Sequence, residues 1–249
     1  MNNRASVSYW ESVWEKQDSI VPIDLKSYKY KEFHEIFQKF IPNNSDLSIC
    51  EIGCAMSSWL LYFNDYYNLQ INGFDYDKQA VEKTSLTYKY MGYKANIYYG
   101  DFFVKKNKNT YDILSSWGVF EHFNELEKSI KETKKYLTQH GIIITSIPNM
   151  NGITGFYQKF FNKKVYDIHI PYTKQDILQA HEKNGYKTLF CNYVGTYQFG
   201  VVNISGIRNE TFIRKLFSIP GKPLYILNKI ININSKLLSP HILYIGVKN

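Results

Sequence analysis

Hydrophobic positions recur along this chain in two periods, and the switches between them predict its elements. Val7, Trp10 and Trp14 repeat at helical spacing, and Phe33, Ile36, Phe37 and Phe40 do so again before the breaker Pro42-Asn43-Asn44. Short apolar runs and helical stretches then alternate. A strand running into Glu51 is followed by helix 57–67, strand 69–75, helix 78–91, strand 94–99, strand 111–116, helix 124–138 and strand 141–147. Helix 173–184, strand 186–194 and a last strand at 242–247 complete the series. This alternation predicts an α/β fold: a seven-stranded, mostly parallel sheet with helices on both faces and right-handed crossovers. Two stretches break the rhythm, 149–172 and 195–240, and both are too long and too apolar for plain connections.

The strand ends carry the candidate chemistry. Ile49-Cys50-Glu51-Ile52-Gly53-Cys54-Ala55 runs from an apolar strand through an acid into a small-residue turn that opens a helix. Such a turn aims backbone N–H groups at a ligand held close to the chain, although the same pattern also serves as an ordinary tight turn. Asp75 ends the second strand, 24 residues after Glu51, and Asp101 follows the third. An acid at that distance is placed to accept a ribose's hydroxyls. Three acids at three successive strand ends predict a single nucleoside site. A diphosphate does not fit the turn, because Ala55 and Ser58 stand where the later glycines of Gly-x-Gly-x-x-Gly would fall. No Gly-x-x-x-x-Gly-Lys-Ser/Thr loop occurs either.

Five segments in order, Cys50-Glu51-Ile52-Gly53-Cys54, Gly73-Phe74-Asp75, Gly100-Asp101, Tyr111 to His122, and Gly141 to Asn149, resemble the class I S-adenosylmethionine-dependent methyltransferases. The resemblance covers about residues 45–195. It implies that Glu51, Gly53 and Cys54 face the methionine part of S-adenosylmethionine and Asp75, with Tyr76 after it, the ribose. Asp101 and Phe102 face the adenine, and Ser116, Trp117 and Gly118 the cofactor's inner edge. It also implies one methyltransferase domain over 1–249, with a helical lid at 1–44, a cofactor-binding core at 45–148, and substrate-side insertions at 149–172 and 195–240. Ala55 stands where the family most often has glycine, so this turn is expected to use negative φ there.

Composition narrows the setting. The three cysteines, Cys50, Cys54 and Cys191, lack metal-type spacing and fit a reducing compartment. No apolar run approaches the length of a membrane span, and Met1-Asn2-Asn3-Arg4 opens without an apolar leader, so a cytoplasmic protein is expected. The net charge of +8 favours an anionic partner. The run Lys105-Lys106-Asn107-Lys108 reads as a solvated loop.

Acceptor chemistry is narrowed by elimination. Ser115-Ser116-Trp117-Gly118 is not the Asn/Asp-Pro-Pro-aromatic turn of amino-directed nucleic-acid methylases, and no cysteine follows a proline, as cytosine-carbon methylation requires. Nucleic acid is therefore disfavoured, although an RNA acceptor stays open. No further carboxylate cluster is visible to build a metal site, so none is expected. An oxygen acceptor on a small anionic molecule is the leading reading: a sugar, a nucleotide-linked sugar, or a phosphate or phosphoramidate group. The Ile147-Pro148-Asn149 turn and the later His169 resemble small bacterial methyltransferases of capsule and surface-polysaccharide biosynthesis. Alternatives are another small metabolite, aminopropyl transfer, or an inactive cofactor-binding partner subunit. His122, in the family's Glu-His position, and His169 are the candidate general bases. Trp10, Trp14, Tyr157, Lys159 and Tyr172 are candidate acceptor contacts. Residues 195–240 either line the pocket, cover the sheet, or join two subunits of a homodimer; Lys215, Lys222 and Lys229 there also leave a membrane surface open.

Overall fold

The computed structural model describes residues 3–15, 17–104 and 109–249. The basic run 105–108 lies outside the described residues. Helix α1 (Val7–Trp14) starts where the Ser6 hydroxyl accepts the Tyr9 N–H, and α2 (Tyr28–Phe40) buries Phe33, Ile36 and Phe37. Then come β1 (Ser48–Ile52), α3 (Trp59–Tyr67), β2 (Gln70–Asp75), α4 (Lys78–Tyr90), β3 (Ala95–Tyr99) and β4 (Tyr111–Trp117). Helix α5 (Leu126–Thr133) and β5 (Leu137–Pro148) follow. The sequence, with a helix over 124–138 and a strand over 141–147, ends the first of these later and makes the second shorter. The chain leaves α5 early because Leu137 already pairs with Tyr111, across an irregularity in the β4–β5 ladder.

The stretch 149–172, irregular by sequence, holds α6 (Ile153–Phe161) and α7 (Lys163–Asp167). Helix α8 (Lys174–Lys183) begins at a reciprocal cap in which Thr173 and Asp176 satisfy each other's backbone N–H groups. It leads into β6 (Tyr186–Val194), α9 (Glu210–Ser218), α10 (Gly221–Ile231) and β7 (His241–Lys248).

The strands lie in the order β3-β2-β1-β4-β5-β7-β6, with β7 antiparallel to both neighbours and the remaining pairs parallel. The predicted seven-stranded, mostly parallel sheet is thus observed. Successive strand residues face opposite sides. Ile49, Ile113, Ile144 and Ile245 join the core under α2 and α3, while Cys50, Leu114, Ile143 and Tyr244 join the core under α5 and α8. Burial on both faces explains why these strands read as continuous apolar runs. The strand order reverses between β1 and β4, and the crevice at the carboxyl ends of those strands is the default ligand position of such a sheet.

The two insertions meet each other over that end. Tyr197, Phe199, Val202 and Ile204 form a separate small core with Tyr157 and Phe161 from α6 and with Phe217 and Leu224 from the α9–α10 hairpin. The hairpin's outer face leaves Phe212, Leu216, Ile219, Ile226, Leu227, Ile230 and Ile231 exposed. Among the described residues no helix is long and apolar enough to cross a membrane.

Candidate functional site

The turn after β1 is fixed by what its residues can adopt. Gly53 has φ +70°, and a Cβ there would lie 2.8 Å from Val119 Cγ2, so both conformation and space demand glycine. Ala55 is absent from the positive-φ residues, as expected; the second left-handed residue is Met56, at φ 50°, whose N–H is held by the Thr84 hydroxyl at 2.9 Å. A non-glycine residue there is strained and persists because its surroundings hold it.

Both acids of the crevice are buried. Glu51 accepts the Ser57 hydroxyl at 2.7 Å, and burial raises its carboxyl to about 8. Asp75 accepts the N–H groups of Ala55 (3.1 Å) and Asp77 (3.0 Å), and burial raises it to about 6 against those bonds. The acid of β2 therefore braces both the β1 turn and the start of α4, a structural role that spacing does not reveal. Cys54 is fully buried, its sulfur against Gly73, so only its backbone faces the crevice turn. Asp101 is exposed and accepts the Phe103 N–H, while Phe102 is buried beside Phe103, Phe120 and Phe123. Tyr76 is half-buried at the end of β2.

A strap crosses the crevice. Asn3 pairs with Phe123 as an isolated antiparallel bridge, and the Arg4 N–H donates to the His122 carbonyl at 2.9 Å. Helix α1 continues it toward α4, where the Lys83 ammonium donates to the Trp14 carbonyl.

Beside the crevice lies a cavity of about 490 Å³. Trp117 and Gly118 belong to both the predicted cofactor edge and its wall; Glu51, Asp75 and Asp101 do not line it. Its other walls come from α1 (Trp10), α2 (Lys29, Phe33), β5 and the two insertions (Gln158, Gln198, Asn203). Gln158 ties the insertions together, accepting the Asn203 N–H at 2.8 Å and donating to the Asn203 carbonyl. Trp117 stacks on Trp59 at 3.9 Å and 8°. The hydroxyls of Ser115 and Ser116 and the Trp117 indole N–H are buried without a hydrogen-bond partner among the described residues, leaving polar groups to be met at the end of β4.

His122 and His169 converge on this cavity, their rings 4.7 Å apart. His122 Nδ1 lies 2.9 Å from the Ile168 carbonyl and His169 Nδ1 2.6 Å from the Val165 carbonyl. Since a carbonyl only accepts, these contacts favour the Nδ1–H tautomer of each neutral ring, with Nε2 as its acceptor, and the Gly118 carbonyl also lies beside His122. The two Nε2 atoms stand 3.8 and 4.0 Å from Glu121 Oε1. Burial lowers His122 to about 4, lowers His169, and raises Glu121 to about 8. Each histidine is consequently neutral near pH 7.

Of the predicted acceptor contacts, Trp10 lines the cavity, with its ring edge-on to His122 at 5.4 Å. The other four are not brought to it. Trp14 stacks behind Trp10 at 5.6 Å and packs on the core. Tyr157 is consumed by the insertion core, its ring against Phe199 and Phe217. Lys159 is exposed, with its ammonium over the Tyr166 ring. Tyr172 donates its hydroxyl to the Phe123 carbonyl at 2.8 Å. Residues missed by sequence reasoning include Lys29, the one cation among the described lining residues, and His241, held neutral by burial, whose ring meets Phe33 at 5.4 Å. Helical spacing marks Phe33 as core, but nothing local marks its neighbour Lys29.

Solved structures share this architecture at low identity. A SAM-dependent methyltransferase from Archaeoglobus fulgidus is 14% identical over 89% of this chain and 95% of its own, with a TM-score of 0.56. The PH0226 protein from Pyrococcus horikoshii OT3 is 11% identical over 96% and 99%, with a TM-score of 0.62. The YcgJ protein from Bacillus subtilis is 15% identical over 88% and 99%, with a TM-score of 0.57. No curated protein matches the chain. The family described as "Methyltransferase domain" matches residues 25–189, a span from α2 to β6 that takes in the glycine turn, the strand-end acids and the Glu121-His122 pair. With the sheet order and the crevice, that match places the chain in the methyltransferase domain family, as an S-adenosylmethionine-dependent methyltransferase.

Proposed function

We propose that the chain methylates an oxygen of a small anionic acceptor held in the cavity, of the kind met in capsule or surface-polysaccharide biosynthesis. The observation that carries this reading is the pair of imidazoles, His122 and His169, each held at Nδ1 by a backbone carbonyl and lining a cavity that adjoins the crevice at Gly118. When bound, the cofactor supplies a sulfonium methyl group, to which the acceptor oxygen forms a new bond as the sulfur–carbon bond breaks. The chain's own work is to align that oxygen and to take up its proton.

In the protein alone, His122 or His169 accepts the proton of a hydroxyl at Nε2. The imidazolium formed on His122 then has two carbonyls to donate to, those of Ile168 and Gly118, with the Glu121 carboxyl 3.8 Å away. Burial opposes the charge, so the proton is held briefly and passed on. Trp10 and Phe33 offer apolar faces for a saccharide ring, and Lys29 offers a charge for an anionic substituent. For a phosphate-type oxygen, already ionised, no base is required, and Lys29 becomes the more important contact. This role replaces the one expected of Lys159. The exposed apolar face of α9 and α10 is the surface this reading gives to a second copy of the chain; sedimentation at rising concentration tests it.

The test is transfer of labelled methyl from S-adenosylmethionine to a panel of saccharides, nucleotide-linked sugars and phosphorylated metabolites. A labelled saccharide or phosphate ester supports the reading. Label confined to RNA, or none despite tight cofactor binding, overturns it.

A further inference from the structure

Around the cavity end of β4, the side chains of Glu121, His122 and His169 converge, offering one carboxylate oxygen and two imidazole nitrogens to a common point. His122 Nε2 and His169 Nε2 are aimed by their Nδ1–H bonds to backbone carbonyls, and both approach Glu121 Oε1. Glu121 Oε2 is buried, in a residue 1% exposed, and has no hydrogen-bond partner among the described residues. The Gly118 carbonyl beside His122 is one more acceptor. A buried cluster of acceptors is costly unless a proton or a cation occupies it.

We infer that Glu121, His122 and His169 hold a divalent metal ion at the acceptor end of the cavity. The ligand atoms lie within 4.8 Å of one another. Bonds of about 2.1 Å in a tetrahedral ion would set them about 3.4 Å apart, so binding closes the gaps of 3.8 and 4.0 Å by about half an ångström. Two imidazoles and one carboxylate suit zinc and its neighbours in the first transition row, and three protein ligands leave a position open toward the cavity. The backbone carbonyls on both Nδ1 atoms are the outer partners that a metal-bound imidazole requires. A search for carboxylate clusters misses such a site, because His169 lies 47 residues beyond His122 and reaches it only through the fold of the first insertion.

This inference rests on reading the cavity as the acceptor site and alters only how the acceptor is activated. A hydroxyl at the open position ionises nearer neutrality: its O–H bond breaks, its electron pair stays on the metal-held oxygen, and its proton leaves to water through the cavity mouth. The imidazoles then serve as ligands, not bases.

The experiment titrates the full-length, chelator-treated protein with cobalt(II) and follows visible absorption, beside Glu121→Gln and His169→Asn. One equivalent of ion with the absorption of a four- or five-coordinate site is expected, weakened more than about 100-fold in both variants. Circular dichroism controls for folding. If either variant fails to fold, His122→Asn takes its place. No stoichiometric binding would overturn the inference, as would absorption that persists in the variants or shows thiolate charge transfer, which would place the ion at cysteine. Calorimetry of S-adenosylmethionine on the same chelated sample keeps the two readings apart: failure of cobalt to bind a sample that still binds S-adenosylmethionine overturns the metal alone, whereas failure of both overturns the cofactor reading with it.

Discussion

The crevice proposed for the cofactor and the cavity proposed for the acceptor adjoin at Trp117 and Gly118 yet are built in different ways. The crevice is made by consecutive strand ends, each contributing an acid or a glycine within two residues of a predicted strand, and its parts are held by bonds such as those the Ala55 and Asp77 N–H groups donate to the Asp75 carboxylate. The cavity is made by α1, α2 and two insertions whose side chains come from all along the sequence, joined through Gln158 and an aromatic core of their own. Local rules define the first; long-range packing defines the second.

Substitutions that respect or breach this division should separate cleanly. The largest effect is expected from Gly53→Ala, which forces a left-handed φ on a residue with a Cβ and drives that carbon into Val119. Cofactor affinity, measured by calorimetry, should fall by more than about 100-fold, and a variant that binds normally would show that the turn is not the cofactor's seat. Asp75→Ala follows. It removes the brace of two N–H groups as well as the proposed ribose contact, and a loss of about 10–100-fold in cofactor affinity with lowered Tm is expected. Unchanged affinity would remove Asp75 from the site.

His122→Ala, on the other side of the division, should leave S-adenosylmethionine affinity near wild type and lower kcat for a hydroxyl acceptor by about 10²–10⁴. A matching fall in cofactor affinity would mean that the two regions are one.

A smaller effect is expected in the pH dependence of stability. Glu51 and Glu121, raised by burial to about 8, hold a proton in the folded chain that the unfolded chain has already lost, so their stabilisation is complete below about pH 4.5 and lost as pH rises through 8. His122 and His241, lowered to about 4, and His181, lowered to about 3, work in the opposite sense: their stabilisation is complete above about pH 6.5 and lost as pH falls toward 4. Stability should therefore peak between these limits. In thermal scans from pH 6 to 9, Glu51→Gln should flatten the alkaline limb by up to a few kcal/mol, on the order of a pKa shift of this size. A limb unchanged in slope would show Glu51 to be ionised in the fold. The smallest effect is expected at Lys159→Ala, exposed and away from the cavity, with stability within about 0.5 kcal/mol and acceptor KM unchanged. A large rise in KM would return it to the site.

These contrasts explain what could be read before the structure. Strand and helix order was legible because both faces of the sheet are buried, and Glu51, Asp75 and Asp101 were legible because they sit where strands end. The end of α5 was not, since it is set by the pairing of Leu137 with Tyr111 across the sheet. Tyr157 and Tyr172 look like pocket residues in a row of aromatics, but their rings and hydroxyls are spent on packing and on the Phe123 carbonyl. Lys29 and His241, distant in sequence and unremarkable in it, come to line one cavity only when Phe33 of α2 packs beside the start of β7.

The strap formed by Asn3, Arg4 and α1 has a kinetic consequence. It is fastened to Phe123 and His122, immediately past β4, and its Trp10 is at once part of the cavity wall. On the proposed reading, in which the cofactor passes beneath the strap, it enters before that wall is complete and the acceptor binds only afterwards. Such a chain should follow a compulsory order, first ligand in and last product out, with peeling of the N-terminal segment, and not bond making, as the slow event of each cycle.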